Sequence, residues 1–245
     1  MQVAILAGGL ATRLGTIAKE HPKSMVQILG SPFLEYQLEF LKKGGIRDII
    51  LCTGHLGEQI ENYFGDGSRF GVSIQYSRED SRLGTAGALK KAESLLDDTF
   101  FTLYGDSYLF VNFEATMSFF KSRNRLALMT VYKNHDKYKR SNTTVEGELV
   151  KKYSTRSRTT DMVYIEYGAN IFRKEILEMI PEGYYTLGRL FRRLIGKREV
   201  LAYEVKERFY EIGSLHLLRE FEDFAKDTLI PFPPLNLYMK QGEVK

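Results

Sequence analysis

Four short runs, VAILA, DIILCT, VSIQYS and FFTLYGD, recur through the first 106 residues, with a helical stretch between each pair. This rhythm limits the fold more than any other feature of the chain. Strands separated by helices pair in parallel, and short runs with little polar face suit a sheet covered on both sides. Val3–Ala7 is the first strand. SPFLEYQLEFLKKGG predicts a helix capped by Ser31, with Pro32 in its first position. Phe33, Leu34, Leu38 and Leu41 lie at helical spacing, and Gly44-Gly45 ends it. GEQIENYFGDG predicts a short helix closed by Gly65, and Thr85 to Leu96 another. The expected architecture is α/β, a mostly parallel sheet with helices packed on it.

After residue 125 the rhythm changes. LALMTVY predicts a strand, NTTVEGELVKKYS two short strands joined at Glu146-Gly147, and MVYIEYGANIF another strand. Helices are expected near Lys174–Met179, Thr186–Ile195 and Leu215–Ala225, and strands at VLAYEV and RFYEI. No Pro-, Gly- or Ser-rich linker separates the halves. The second half is therefore expected to add strands to the first sheet, giving one domain over 1–225 and a Pro-rich tail over 226–245. The tail reads equally as a terminus and as a contact for self-association.

Composition excludes several classes. A net charge of +4 suits anionic small molecules and lacks the dense basic stripe of a nucleic-acid binder. The single Cys52 sits inside an apolar strand, so no disulfide framework is expected and the cytosol is the expected compartment. No run reaches the length of a membrane span, and residues 1–7 lack the charged start of a signal peptide.

In open α/β sheets, ligands bind beyond the carboxyl ends of the strands. Three features converge there. Gly8-Gly9 follows the first strand directly, with Thr12 and Arg13 close behind. Glycine lets backbone N–H groups approach phosphate oxygens, and Arg grips phosphate in two places. The pattern is neither a P-loop, which needs a Lys before Thr16, nor the spaced-glycine dinucleotide fingerprint. Lys23, after Pro22, is a compact cation suited to a single phosphate. Asp106 ends an apolar strand, where a carboxylate can hold Mg²⁺ that takes its other ligands from water and phosphate. Each feature alone reads equally as a turn or a solvated charge; together they suggest a site for a nucleoside triphosphate and a metal.

The segments LAGGLATRLG, HPKSM, SPFLEYQLEFLKKGGI, YFGDGSRFGVSIQYS, LGTAGAL and LYGDS stand in the order and spacing of the sugar-1-phosphate nucleotidyltransferases. The chain resembles that family from residue 1 to about 225, most specifically over the first 110 residues. The likeness is strongest to small bacterial members acting on heptose 1-phosphate with GTP or N-acetylmuramate 1-phosphate with UTP. The resemblance implies a Rossmann-like doubly wound domain with helices on both faces and added strands forming a sugar-binding half. It implies an enzyme that joins an NTP to a sugar 1-phosphate, using Mg²⁺ and releasing pyrophosphate, in nucleotide-sugar and cell-surface polysaccharide synthesis.

Carried over residue by residue, Leu6, Ala7, Gly8, Gly9 and Thr12 line the base and phosphates. Arg13 holds the β- and γ-phosphates, and Lys23 bridges the α-phosphate and the sugar phosphate. Gly84, Thr85 and Gly87 face the nucleoside, with Ser77 and Glu79 near the base. Asp106 ligates Mg²⁺, with Glu211 of FYEIGS in place of the family's second, distant Asp. Glu remains a hard oxygen ligand. Ala11 and Ser24 replace the family's glycine and proline. Arg156 in KKYSTRSR stands in for the cation of a Glu-Lys-Pro motif. Glu166, with Gly168 beside it, takes the place of an Asn facing the sugar.

Two other readings remain. A phosphocholine-type cytidylyltransferase would use Tyr164, Glu166 and Tyr167 around a quaternary ammonium. A regulatory subunit that senses an NDP-sugar would have eroded Arg13, Lys23 or the carboxylates.

Overall fold

A computed structural model of the protein describes residues 1–9 and 20–229. Its centre is β1 (Gln2–Leu6), whose Val3, Ala4 and Ile5 are fully buried. β1 pairs in parallel with β4 (Asp48–Thr53) and β6 (Thr99–Tyr104), and β5 (Ser73–Arg78) lies parallel beyond β4. α1 (Phe33–Lys43), α2 (Gly57–Phe64) and α3 (Gly84–Lys91) fall between these strands. The alternation read from the sequence is thus realised as a parallel half-sheet.

The second half enters the same sheet through β11 (Tyr164–Arg173), antiparallel to β6. β8 (Ala127–Lys133) pairs antiparallel with β11, and β12 (Val200–Val205) parallel with β8. β10 (Leu149–Tyr153) and β9 (Thr143–Glu146) complete the edge, giving nine strands in the order β5-β4-β1-β6-β11-β8-β12-β10-β9. The sheet is parallel in its first half and mixed in its second.

Both faces are covered. Along β1, Val3 and Ile5 join one apolar layer with α1, α2 and α4 (Phe113–Lys121), while Ala4 joins the other with α3 and α5 (Leu187–Gly196). The two-residue period of the strand splits its side chains between the layers. A third cluster packs Phe33 and Tyr36 of α1 against Phe221 and Ala225 of α6 (Leu215–Thr228).

Several local expectations change. Ser31 does not cap α1. With Pro32 it forms β3 (Ser31–Pro32), paired with β2 (Gln27–Ile28) across a turn in which Leu29 and Gly30 both have positive φ, 48° and 90°. A two-residue hairpin turn demands that geometry, and it moves the helix start to Phe33. α3 ends at Lys91 and a 3₁₀ turn, Glu93–Leu95, follows it. Lys174–Met179 is 3₁₀ rather than α. The final helix runs to Thr228, so the boundary expected at 225 falls inside it. α4 went unread, although Asn112 caps it by accepting from Ala115 N (3.0 Å) and Phe113, Met117 and Phe120 mark its buried face. RFYEI contributes only β13 (Tyr210–Glu211), which leaves the main sheet to pair with β7 (Ser107–Tyr108). That small ladder brings the end of the chain back to the end of β6.

Candidate active site

β1 stops at Leu6, and the backbone beyond it is held by its neighbours: Ala7 N donates to Cys52 O at 2.8 Å, and Gly105 N to Leu6 O at 3.0 Å. The Gly8-Gly9 turn and the Gly105-Asp106 turn therefore open side by side. A cleft of about 230 Å³ lies against them, lined by Leu6, Ala7, Gly8, Gly9, Lys23, Glu79, Gly84, Thr85 and Asp106. Each of these was singled out from the sequence. Thr12 and Arg13 lie outside the described residues.

Asp106 is placed from two sides. Gln37 of α1 donates its amide to Tyr104 O (2.9 Å) and Ser107 O (2.7 Å), pinning the turn that carries it. Lys23 follows Pro22, whose φ of −58° leads into the 3₁₀ turn Lys23–Met25, and its ammonium meets Asp106 Oδ2 at 2.5 Å. Ser24 beside it is buried in the cleft wall, and its hydroxyl has no partner among the described residues.

Glu79 packs against the glycine turn. A Cβ on Gly8 would stand 2.8 Å from Glu79 Oε1, so a side chain there would push the Glu79 carboxylate aside. The carboxylate accepts from Leu83 N (3.0 Å), which orders the loop leading into α3. Burial pushes the Glu79 pKa up from the ordinary carboxyl value, while the Leu83 N–H and the charge of Arg82 oppose the rise.

Three of the expected nucleotide contacts are engaged elsewhere. Thr85 lines the cleft, but its hydroxyl accepts from Leu187 N (2.8 Å), tying α3 to the start of α5. Gly87 is buried and donates its N–H to Tyr185 O (3.0 Å), so it faces the neighbouring loop and is not among the residues lining the cleft. Ser77 is buried within β5, paired with Cys52, and likewise does not line it.

A second cleft, about 690 Å³, shares Tyr104 and Asp106 with the first and extends over the added strands. Glu211, Arg156, Glu166 and Gly168 line it. Glu211 sits across from Ser107 in the β7–β13 ladder, and Ile212 N donates to Asp106 O at 3.0 Å. The two acids, more than 100 residues apart in the chain, are thus neighbours. A bulge in β11 between Glu166 and Asn170 contains Gly168, whose φ is +109°. A Cβ there would meet the Tyr104 ring at 3.2 Å. The bulge turns Glu166 into the cleft, where Oε1 accepts from Asn170 Nδ2 (2.9 Å) and Oε2 from Tyr153 OH (3.2 Å) and Tyr104 OH (3.4 Å). Burial raises the Glu166 pKa, against the opposing pull of these donors and of Lys139.

Tyr164 and Tyr167 do not form a cage beside Glu166. The Tyr167 hydroxyl accepts from Phe110 N (2.9 Å) and its ring is core, while Tyr164 reaches Glu204. The cleft carries both signs of charge: Lys139, Arg140, Arg156 and Arg158 line it together with Asp106, Glu166 and Glu211, and Lys139 and Arg158 are ion-paired with Glu211 and Asp136. Lys139 and Arg140 were missed, although the run KYKR after a buried strand was a readable signal.

Asp106 and Glu211 suit a hard cation. Among the described residues there is no group of three or more His, Cys, Asp and Glu side chains that could hold a metal ion. Two carboxylates on neighbouring backbone can nevertheless be the protein share of a Mg²⁺ site completed by water and phosphate, although here each meets a lysine ammonium, Asp106 that of Lys23 and Glu211 that of Lys139. No helix among the described residues is long and apolar enough to cross a membrane.

The family model for nucleotidyl transferases matches residues 2–216. The chain belongs to the nucleotidyl transferase family. It is 33% identical over 225 residues to a UTP–glucose-1-phosphate uridylyltransferase of Synechocystis, a match covering 80% of this chain and 55% of that protein. It is 31% identical over 233 residues to a D-glycero-α-D-manno-heptose 1-phosphate guanylyltransferase of Campylobacter jejuni, covering 94% of this chain and 96% of that one. Among solved structures, HddC from Yersinia pseudotuberculosis, in a complex with GMP-PN, superposes with a TM-score of 0.74 at 23% identity over 91% of this chain and 98% of the other. This likeness establishes the shared α/β, doubly wound fold.

Proposed function

We propose that the chain is a sugar-1-phosphate nucleotidyltransferase that joins an NTP to a sugar 1-phosphate, giving an NDP-sugar and pyrophosphate. Heptose 1-phosphate with GTP is the first pair to test, since the heptose relative matches the chain over nearly its whole length. One observation carries the reading: two clefts meet at Asp106, one walled by glycine turns and the other by cations and a buried carboxylate, with Lys23 at the junction.

In this reaction a phosphate oxygen of the sugar 1-phosphate forms a bond to the α-phosphorus. The bond from that phosphorus to the bridging oxygen breaks, and pyrophosphate leaves with the electron pair. The attacking oxygen is already ionised at neutral pH, so no general base is required. The task is to hold two anions together and stabilise charge on the leaving group. Lys23 places a cation where the α-phosphate and the sugar phosphate meet, and its 13% exposure keeps water from screening much of that charge. The Gly8-Gly9 backbone gives the phosphates a close approach free of side chains. Glu166 accepts hydrogen bonds from sugar hydroxyls. Asp106 and Glu211 would hold a divalent cation, which when bound would supply further positive charge at the phosphates. The catalytic unit is proposed to be a single domain ending with α6.

Tyr164 and Tyr167, the rings that would hold a quaternary ammonium such as choline, are engaged by Glu204 and Phe110 instead, which favours the sugar reading. Pyrophosphate release with Mg²⁺ tests the reading, using four NTPs against heptose, hexose, muramate and choline phosphates. Turnover is expected with a sugar 1-phosphate. Turnover confined to choline phosphate, or none with any pair, would overturn it.

A further inference from the structure

The family resemblance places the cation of the sugar cleft at Arg156, yet that side chain is exposed and has no ion-pair partner among the described residues. Arg140 and Lys139 are exposed in the same way, and Arg158 is held by Asp136. Of the four cations lining this cleft, Lys139 is the one that reaches the carboxylate pair: its ammonium bonds Glu211 Oε2. Lys23 reaches the same pair from the nucleotide cleft, through Asp106. Gly213 lies between the Lys23 ammonium and the Glu211 carboxylate: a Cβ there would stand 3.6 Å from Lys23 Nζ and 3.4 Å from Glu211 Oε1.

Lys139 is carried by a turn in which His135 and Asp136 have φ of 46° and 61°, the left-handed region that His and Asp enter more readily than most residues. The bonds that hold this turn converge on the Lys139 backbone. Buried Asn134 donates to the Lys139 carbonyl at 2.6 Å and to Ser141 Oγ at 3.1 Å, and accepts from Tyr138 N at 3.2 Å. The Asp136 carboxylate accepts from Ser141 N at 2.7 Å. Arg208 lies over the Tyr138 ring at 4.4 Å and the Tyr210 ring at 4.2 Å, joining the loop to the strand that carries Glu211.

We propose that Lys139 binds the phosphate of the sugar 1-phosphate, as the sugar-side counterpart of Lys23, and that Asn134 is its positioning residue. The proposal rests on the nucleotidyltransferase reading. A turn held by buried hydrogen bonds fixes the backbone from which the Lys139 side chain extends toward Glu211. Lys139 is therefore the cation assigned to the acceptor phosphate.

Steady-state kinetics test it on the full chain, with GTP against heptose 1-phosphate, or against mannose or glucose 1-phosphate if the wild type prefers one of these. Lys139→Gln should lower kcat/KM for the sugar phosphate by about tenfold or more, leaving KM for the NTP within about twofold. Lys139→Arg should recover part of the loss. Asn134→Ala should raise KM for the sugar phosphate in the same selective way, which a general loosening of the fold would not do. If Lys139→Gln fails to fold, by thermal melting, the Arg and Asn134 variants decide the matter. An active wild type with no acceptor-selective change in these variants overturns the Lys139 assignment and leaves the functional reading intact. A wild type inactive with every pair overturns both.

Discussion

The two clefts that meet at Asp106 are built from different materials. On the proposed nucleotide side much of the wall is backbone and small residues, Ala7, Gly8, Gly9, Gly84 and Ala88, with Lys23, Glu79, Arg82 and Asp106 among them. On the sugar side they are long side chains: Lys139, Arg140, Arg156 and Arg158 from loops, with Glu166 at a strand bulge. Triphosphate is common to every NTP, and backbone N–H groups fixed by a sheet can recognise it whatever the base. A particular sugar calls for side chains, and side chains on loops can change without disturbing the sheet.

The strongest attempt to break this contrast targets the seam. Lys23→Ala and Asp106→Ala should melt close to wild type and lose about 10³-fold in turnover. A charge about 4 Å from the reacting phosphates interacts by roughly 4 kcal/mol at an effective dielectric near 20. Wild-type rates in either purified variant would remove the shared reaction centre. A subtler attempt targets the backbone wall. Gly8→Ala puts a Cβ 2.8 Å from Glu79 Oε1. It should raise KM for the NTP about tenfold and cost about 1–2 kcal/mol of stability, with KM for the sugar phosphate little changed. An equal rise in both KM values would mean that the two sides are not separable.

The smallest effect sharpens the contrast from the sugar side. Glu166→Gln should raise KM for the sugar phosphate several-fold through loss of a charged acceptor. The same change should stabilise the fold at pH 7. Because burial raises the Glu166 pKa above its ordinary 4.5, the folded state binds the proton more tightly than the unfolded chain does. In the wild type, stability from this group is therefore greatest below pH 4.5 and is lost as pH rises through the folded value. The melting advantage of Glu166→Gln should shrink as pH falls toward that range. An advantage independent of pH would show that the carboxylate carries no burial penalty.

Legibility followed the same division. Gly8, Gly9, Lys23, Gly84 and Asp106, picked out from the sequence, line one cleft; Gly8, Gly9 and Asp106 stand just after buried strands, where a tight turn calls for glycine and short polar residues. Gly87 and Thr85 belong to the same motif, but packing claims them: one N–H faces Tyr185 and one hydroxyl faces Leu187, contacts no linear pattern contains. Gln37 was invisible for a like reason, since a glutamine on a helix gives no sign that it will pin the Asp106 turn from across the core. Ser31 reads as a cap until the hairpin with Ile28 takes it into β3.

By itself the sequence determined the alternation of strand and helix, hence a parallel half-sheet with a ligand edge, because hydrophobic period and turn chemistry are local properties. Only the tertiary structure decided that Glu211 lies beside Ser107, next to Asp106, that a bulge aims Glu166 into a cleft, and that Lys139 rather than Arg156 reaches Glu211. Those are distances between residues far apart in the chain. They are set by how the added strands enter the sheet and by the hydrogen-bond network that holds the Asn134–Ser141 turn, not by any preference of the residues themselves.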